Sequence, residues 1–332
     1  NEELHLARCL SRVMPWVGRV VGVDSYSSDR TREIGEAHGA EVRQNRWKNY
    51  AHQYQCALDQ ARIDTRWVMR LDADEYWEEG AVAELRNRLS ELPPEVTGLR
   101  ARLKVVFRGR PIRHGRHYST WLTRIWRREA GSIEQRWMDE HIVLSHGQVE
   151  TLQSGDLVDH NLNDLGWWVD KHNRYATRHM VDFVSREHGL FAEDRRLEAS
   201  GEGRRKRFLK HGLYGRAPLY LRAALFFLYR YVARLGFLDG RPGFLFHFMH
   251  GFWLMMLIDC GIWRAVRSTR VPAEVLRTLS PTARSPFTTS PSSVPTPSSL
   301  VVPRCWARAP VVAGAPAART TAPDRRRWGR PG

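Results

Sequence analysis

Two short apolar runs that break off into acidic residues constrain this chain most. Residues 19–24 (RVVGVD) end on Asp24, and residues 66–71 (RWVMRL) lead into Asp72-Ala73-Asp74-Glu75. Around them, apolar residues recur at helical spacing over 4–17 (LHLARCLSRVMPWV), 30–38 and 49–63, and again over about 80–91 before Pro93-Pro94. A β-branched or aromatic run of four to eight residues reads as a buried strand, and a 3.6-residue apolar period reads as a helix. Gly39 stands where a helix ending near residue 38 needs a left-handed residue, and residues 40–44 read as another short strand. Strand and helix therefore alternate, which predicts an α/β fold with a doubly wound, mostly parallel sheet. In such sheets ligands sit beyond the carboxyl ends of the strands. Asp24–Asp29 and Asp72–Glu75 both lie at such ends.

Further along, residues 99–107 and 119–127 read as strands joined by a basic loop, Arg108–Arg116, and residues 165–185 read as a helix. Residues 186–210 are polar, with a basic run at Arg204–Lys210. The character then changes. Residues 217–238 are aromatic and apolar but carry Arg222, Arg230 and Arg234, and Gly243–Trp263 is long enough to cross a bilayer. His247, His250 and Asp259 are costly at a bilayer centre, and arginines flank both segments. Helices lying in the membrane interface are the expectation, with a single span or a buried helical pair as the alternatives. Beyond Val271, Pro, Ser, Thr, Ala and Arg dominate and periodicity vanishes, so a disordered tail is expected. The division expected is thus a catalytic and ligand-binding domain over 1–185, a helical membrane-associating region over 186–270, and a tail over 271–332.

The bulk composition closes off several classes. With 42% hydrophobic residues and 13 Trp, a packed core is assured and wholesale disorder excluded. A net charge of +16 points to nucleic acid, an anionic membrane or phosphorylated substrates. Part of that excess lies in the tail, and no zinc spacing or reading helix supports specific nucleic-acid binding. Cys9, Cys56, Cys260 and Cys305 are scattered without a paired spacing, which fits a reducing compartment.

Asp72 and Asp74 carry the clearest chemistry. On an extended segment, residues two apart point the same way. Two carboxylates held together favour a cation between them. Oxygen ligands alone suit Mg²⁺ or Mn²⁺, whose remaining positions take substrate phosphates. A solvated acidic loop capping the next helix is the plain alternative. Asp24, beside Ser25, is placed to accept hydrogen bonds from a base or ribose, or to close a local turn. Ser28 and Asp29 read as caps of the following helix. Asp139 and Glu140, after Trp137-Met138, offer a general base, and His141 a metal ligand. A surface turn accounts for the same three residues. His160, Lys171-His172-Asn173-Arg174 and the group Arg113, His114 and Arg116 fit contacts to phosphates or an exposed basic face equally well.

As an ordered set these pieces resemble glycosyltransferase family 2, the inverting enzymes with a GT-A fold. They are similar in particular to bacterial members that build lipopolysaccharide cores and cell-surface polysaccharides. The pieces are Asn1-Glu2-Glu3, Val23–Thr31, Trp47 with Tyr50-Ala51 and Gln53, Trp67-Val68 leading into Leu71–Glu75, Met138–His141, Lys171–Ala176, Phe227–Tyr231 and Gly236–Gly240. The resemblance implies a nucleotide-sugar donor, a lipid-linked or polysaccharide acceptor, and work at the cytoplasmic membrane face. It implies that Asp24, Ser25 and Asp72 meet the donor and that Asp72 and Asp74, with His141, hold Mg²⁺ or Mn²⁺. Asp139 or Glu140 would be the base. A strand normally precedes the Asn-Glu-Glu segment in this family, so one is expected to be missing here. The alternatives are another metal-dependent phosphoryl or nucleotidyl transferase, or an inactive fragment of a glycosyltransferase.

Overall fold

The computed structural model describes residues 1–134, 140–187, 218–267 and 300–306 of the 332-residue chain. Its first elements follow the sequence pattern closely. Helix α1 (Glu3–Val13) precedes β1 (Arg19–Asp24), then α2 (Thr31–Ala37), β2 (Glu41–Gln44), α3 (Tyr50–Gln60), β3 (Trp67–Met69), β4 (Glu75–Trp77) and α4 (Glu79–Arg88). Then come β5 (Val96–Phe107), β6 (Arg110–Pro111), β7 (Trp121–Arg127), the hairpin β8 (Gly131–Ile133) and β9 (Ile142–Leu144), β10 (Gln148–Thr151), β11 (Leu157–His160) and α5 (Leu165–Glu187). Gly39 does end α2, with φ +79°, and its N–H closes onto the Glu36 carbonyl at 2.9 Å.

With β12 (Leu300–Trp306), ten strands form one mixed, mostly parallel sheet in the order β2-β1-β12-β3-β7-β5-β11-β4, with β6 and β10 also on β5, while β8 and β9 pair only with each other. The pleat sorts residues into two layers, as the alternation of side chains requires. Val20, Trp67, Met69 and Ile125 face one core with Leu6 and Leu10 of α1 and Leu85 of α4. Val21, Val68 and Trp126 face the other, with Ala51 and Tyr54 of α3 and the β8–β9 hairpin. Helix α1 buries His5, Leu6, Cys9, Leu10 and Val13, a single stripe at helical spacing. Leu6 and Leu10 are fully buried, each worth about 2 kcal/mol of transfer free energy.

The sheet's centre differs from the expectation. The position between β1 and β3 holds β12 (Leu300–Trp306), parallel to both, from within the stretch expected to be a disordered tail. Composition hid this strand. Its Leu-Val-Val start is β-prone, but it lies within a Pro- and Ser-rich stretch. Pro303, in register with Val21, brings no N–H to the ladder, so one rung is lost. The remainder of the expected tail lies outside the described residues.

Residues 218–267 form a helical layer. A helix over Leu221–Leu228 continues as a wider π-type turn to Ala233, a short 3₁₀ turn spans Gly236–Asp239, and helical segments run from Gly240 to Arg267. The last packs Leu254, Ile258 and Ile262 on Ala176 and Met180 of α5. The polar groups that would burden a membrane span turn inward. Asp259 is 1% exposed and takes hydrogen bonds from Arg222 Nε and the Tyr220 N–H, each at 2.8 Å. Among the described residues, Gly236–Arg264 is the one helical stretch long and apolar enough to cross a bilayer by length and composition.

The layer is fastened to the sheet domain by the β6–β7 loop. The Asp239 carboxylate accepts from the N–H groups of Arg113 (3.2 Å) and His114 (2.9 Å), and from His114 Nδ1 (2.7 Å). The Gly115 N–H donates to the Arg234 carbonyl at 2.9 Å, and Arg230 Nε donates back to the Gly115 carbonyl at 3.1 Å. Gly115 has φ +68°, and a Cβ there would sit 2.2 Å from the His247 ring. Only glycine permits that approach.

Candidate active site

The acid pair sits where β3 ends, on a tight turn rather than the extended segment expected. The Glu75 N–H donates to the Asp72 carbonyl at 3.0 Å. Glu75 in turn accepts from the Asp72 N–H at 2.9 Å and from Arg124 at 2.6 Å, so a buried ion pair braces the turn. Helix α1 supports it from below. Arg8 donates to the carbonyls of Asp74 (3.2 Å) and His160 (2.5 Å), with Cys9 Sγ 3.5 Å from the Asp72 carbonyl.

The two carboxyls have opposite surroundings. Asp72 accepts from the Tyr54 hydroxyl, and the Arg70 and Arg124 guanidiniums stand 3.7 Å away. Burial and the neighbouring Glu75 push its carboxyl well above the usual range, and Arg124 offsets only part of this. At Asp74, burial again opposes ionisation, but Lys171 at 3.8 Å and the Asn161 amide at 3.0 Å outweigh it and hold the carboxyl below its ordinary value. Lys171 is correspondingly raised. Burial works against its charge, and the oxygens of Tyr175 and Asp74 overcome it. Asp159, in register with Glu75 across the β4–β11 pair, is pushed up to about 7 by burial and by Asp74 and Glu75.

The Asn-Glu-Glu segment acquires a physical role here. Glu2 Oε2 lies 2.7 Å from His5 Nδ1, while His5 Nε2 accepts from the Leu162 N–H at 2.9 Å. That acceptance leaves Nδ1 as the protonated nitrogen, donating to Glu2. Leu162 follows Asn161, the partner of Asp74. The segment also binds the first acidic loop: Asn1 Oδ1 accepts from the Ser28 N–H (3.0 Å), and the Glu2 N–H donates to Thr31 Oγ (2.6 Å).

Asp24 is fully buried and takes the Ser27 N–H at 3.1 Å and Gln44 Nε2 at 3.2 Å. Ser25 Oγ accepts from Gln53, which also joins Asn45. These groups shape the loop beside β1. The N-cap position of α2 falls on Arg30, which gives no side-chain cap; Asp29, one residue earlier, takes the Thr31 N–H at 3.1 Å, and Ser28 bonds Asn1 instead. Glu140 comes to the acid pair through Arg70, whose Nη2 donates to Glu140 Oε1 at 2.7 Å while its ring-facing side lies 4.0 Å from the Tyr54 centroid. Asp139 lies outside the described residues. His141 departs from its expected role. Its ring is half-exposed and 3.2 Å from Glu134, on the β8–β9 hairpin, and the structure does not bring it to Asp72 and Asp74. The chain direction after Glu140 turns it onto that hairpin. Among the described residues no three metal-ligating side chains converge.

Lys171 alone of its group reaches the acids. His172 is stacked on Trp168 at 3.5 Å, and Asn173 and Arg174 face outward. Arg8, His5, Arg70, Arg124, Asn161 and Asp159 escaped the sequence reading. Arg70 carried a signal, being a charge inside an otherwise apolar strand run that ends on the acids. The others converge only in three dimensions.

No curated protein matches the sequence. The family model described as glycosyl transferase family 2 matches residues 1–148, from α1 through the acid pair and Glu140 to the start of β10. By that match, and by the α/β architecture that carries it, residues 1–148 form a glycosyl transferase family 2 domain.

Proposed function

We propose that this glycosyltransferase moves a sugar from a nucleoside-diphosphate donor, with inversion, onto a hydroxyl of a membrane-borne glycolipid or polysaccharide acceptor at the cytoplasmic membrane face. The observation that carries the reading is the pair of carboxyls at the end of β3, Asp74 held ionised by Lys171 and Asn161 and Asp72 raised by burial and Glu75 despite two guanidiniums 3.7 Å away. A buried carboxyl raised by its neighbours is relieved by a cation. Two carboxylates with substrate phosphates complete a Mg²⁺ or Mn²⁺ shell. Asp72 and Asp74 would hold that ion, without His141. When bound, it neutralises the charge that builds on the departing nucleoside diphosphate.

The chain's own groups do the rest. Lys171 and Asn161 fix the Asp74 carboxylate. Arg70 spans from Asp72 to Glu140 and so fixes the distance between the donor side and the candidate base. Asp139 or Glu140 takes the proton from the acceptor hydroxyl as its oxygen attacks the anomeric carbon. Asp24 and Ser25 shape the loop against which the nucleoside packs.

Membrane association is supported by the outer face of residues 220–263. Leu221, Leu225, Leu228, Val232, Leu235, Leu238 and Phe244 are each 47–57% exposed, an apolar surface that soluble domains rarely leave bare. The helices lie on the surface in this reading, since Arg222, Arg230 and Asp259 turn inward to the protein. The test is a nucleotide-release assay with Mg²⁺ or Mn²⁺ across a panel of nucleotide sugars. Nucleoside diphosphate released with metal, and lost in Asp74→Asn, is the expected result. Pyrophosphate as the product would instead assign a nucleotidyl transferase.

A further inference from the structure

Separate from the acid cluster lies a pocket of about 490 Å³ whose walls include Arg102, Arg113, Arg116, Arg234, Tyr118 and Trp121. It forms where the β6–β7 loop meets the helical layer. Arg102 is its fixed floor. Its Nε donates to Asp156 at 3.1 Å, and its guanidinium lies 4.3 Å from the Tyr118 ring centroid. Arg113 and Arg234 project outward with no carboxylate within ion-pair distance among the described residues, and Arg116 has only the Tyr229 hydroxyl at 3.2 Å. The buried acids nearby are already engaged, Asp156 by Arg102 and Tyr118 and Asp239 by the loop. Gathering three guanidiniums on one rim without a counter-charge is unfavourable, and an anion relieves it. Arginine forks fit the oxygens of a phosphate in particular.

The pocket is continuous with an apolar stripe. Leu235 lines it and also ends the row Leu221, Leu225, Leu228, Val232, Leu235. Leu221, Leu225 and Leu228 share one face of the Leu221–Leu228 helix, and the exposed Val232 and Leu235 carry the apolar surface on to the pocket. Strand β5 links the pocket to the acids. Arg102 precedes by three residues Val105, which is in register with Asp159. The Cα atoms of Arg102 and Val105 are thus about 10 Å apart along the strand, and the odd offset turns their side chains to opposite faces of the sheet.

We propose that this pocket binds the phosphate group of a membrane lipid, with the apolar stripe resting among the acyl chains and the phosphate seating the enzyme on the bilayer. The inference deepens the reading above and rests on it, but its test reads binding and not transfer. The full chain is mixed with phosphatidylcholine vesicles doped with phosphatidic acid, and with vesicles doped with phosphatidylserine to the same surface charge. Binding is followed by sedimentation. The wild-type protein should prefer the phosphomonoester vesicles. Arg113→Gln/Arg116→Gln/Arg234→Gln should lose that preference, with a roughly hundredfold fall in affinity for three basic residues at an anionic surface. Leu225→Ser/Val232→Ser should weaken both vesicle types together and keep the preference. Manganese and nucleoside diphosphate binding should be the same in all three proteins, which shows that each is folded. Loss of that donor binding in the wild type would refute the transferase reading and leave the pocket's result to stand alone. Equal binding to both vesicle types, or an unchanged preference in the arginine variant, would overturn the proposal. So would inorganic phosphate that fills the pocket as tightly as the vesicles do, since the site would then serve a soluble anion.

Discussion

Replacing Arg70 isolates the contact that joins the two halves of the candidate site. Its Nη2 lies 2.7 Å from Glu140 Oε1, and the two side chains are only 9% and 5% exposed. Arg70→Met keeps most of the volume and removes the charge, which leaves the Glu140 carboxylate buried without its partner. Breaking a buried pair from one side costs about 3–5 kcal/mol. The lost stacking on Tyr54 adds about 0.5–1 kcal/mol. Glu140→Gln is milder, at about 1–3 kcal/mol, because the amide still accepts a hydrogen bond and Arg70 retains Asp72 at 3.7 Å. The double variant buries no lone charge at position 140. It should therefore be more stable than the sum of the single changes predicts, by about 2–3 kcal/mol. Urea unfolding of the four proteins at neutral pH, with midpoints and slopes fitted together, gives the cycle directly. Single changes that add within about 0.5 kcal/mol, or an Arg70→Met cost below about 1 kcal/mol, would refute the claim that this pair is a buried brace.

Asp74→Asn should lower transfer by about a hundredfold or more, because the ion's contribution is several kcal/mol at the transition state, and should also lower the unfolding midpoint, because Lys171 loses a carboxylate partner; steady-state kinetics and calorimetry check the two halves. Asp159 has a folded pKa of about 7 against an unfolded value near 3.9, so between about pH 4 and 7 the folded state keeps a proton that the unfolded state loses. Stability of the ligand-free protein should fall across that window and level off above it, and Asp159→Asn should flatten the fall in a pH series of thermal melts. Asp72 contributes with the same sign, so binding of Mn²⁺ and nucleoside diphosphate near pH 7 should release protons, seen as heats that change with buffer ionisation enthalpy. Gly115→Val combines a forbidden φ with a clash on His247 and should cost about 2–4 kcal/mol, measured as a drop in thermal midpoint.

The parts of this protein that obey a local period were legible in its sequence. Strand β1, helix α3 and the acids at the end of β3 all announce themselves through spacing, and Gly39 marks the end of α2. The resemblance gathered the same residues into an ordered set. What stayed hidden depends on long-range pairing. Strand β12 carries no signal strong enough to stand out from its Pro-rich surroundings, and β11 is a four-residue strand that only β4 and β5 define. The ionic braces were hidden for the same reason. Arg124 and Glu75 are 49 positions apart, and Asn161 reaches Asp74 across 87. His141 shows the opposite failure, where adjacency in sequence to Glu140 suggested a shared site and the backbone carried the ring to Glu134 instead.

The fastening between Asp239 and the Arg113–Gly115 turn has a mechanical consequence. Five hydrogen bonds and a glycine contact with no spare room make that seam a weld, so the helical layer and the sheet tumble and tilt as one body. On the proposed reading, a body of that kind that lies down on a bilayer by its apolar face holds its reaction centre at one fixed height and one fixed angle. Which hydroxyl it glycosylates then becomes a question of altitude. An acceptor whose sugar stands too close to the headgroups, or too far above them, passes the same chemistry without ever meeting it.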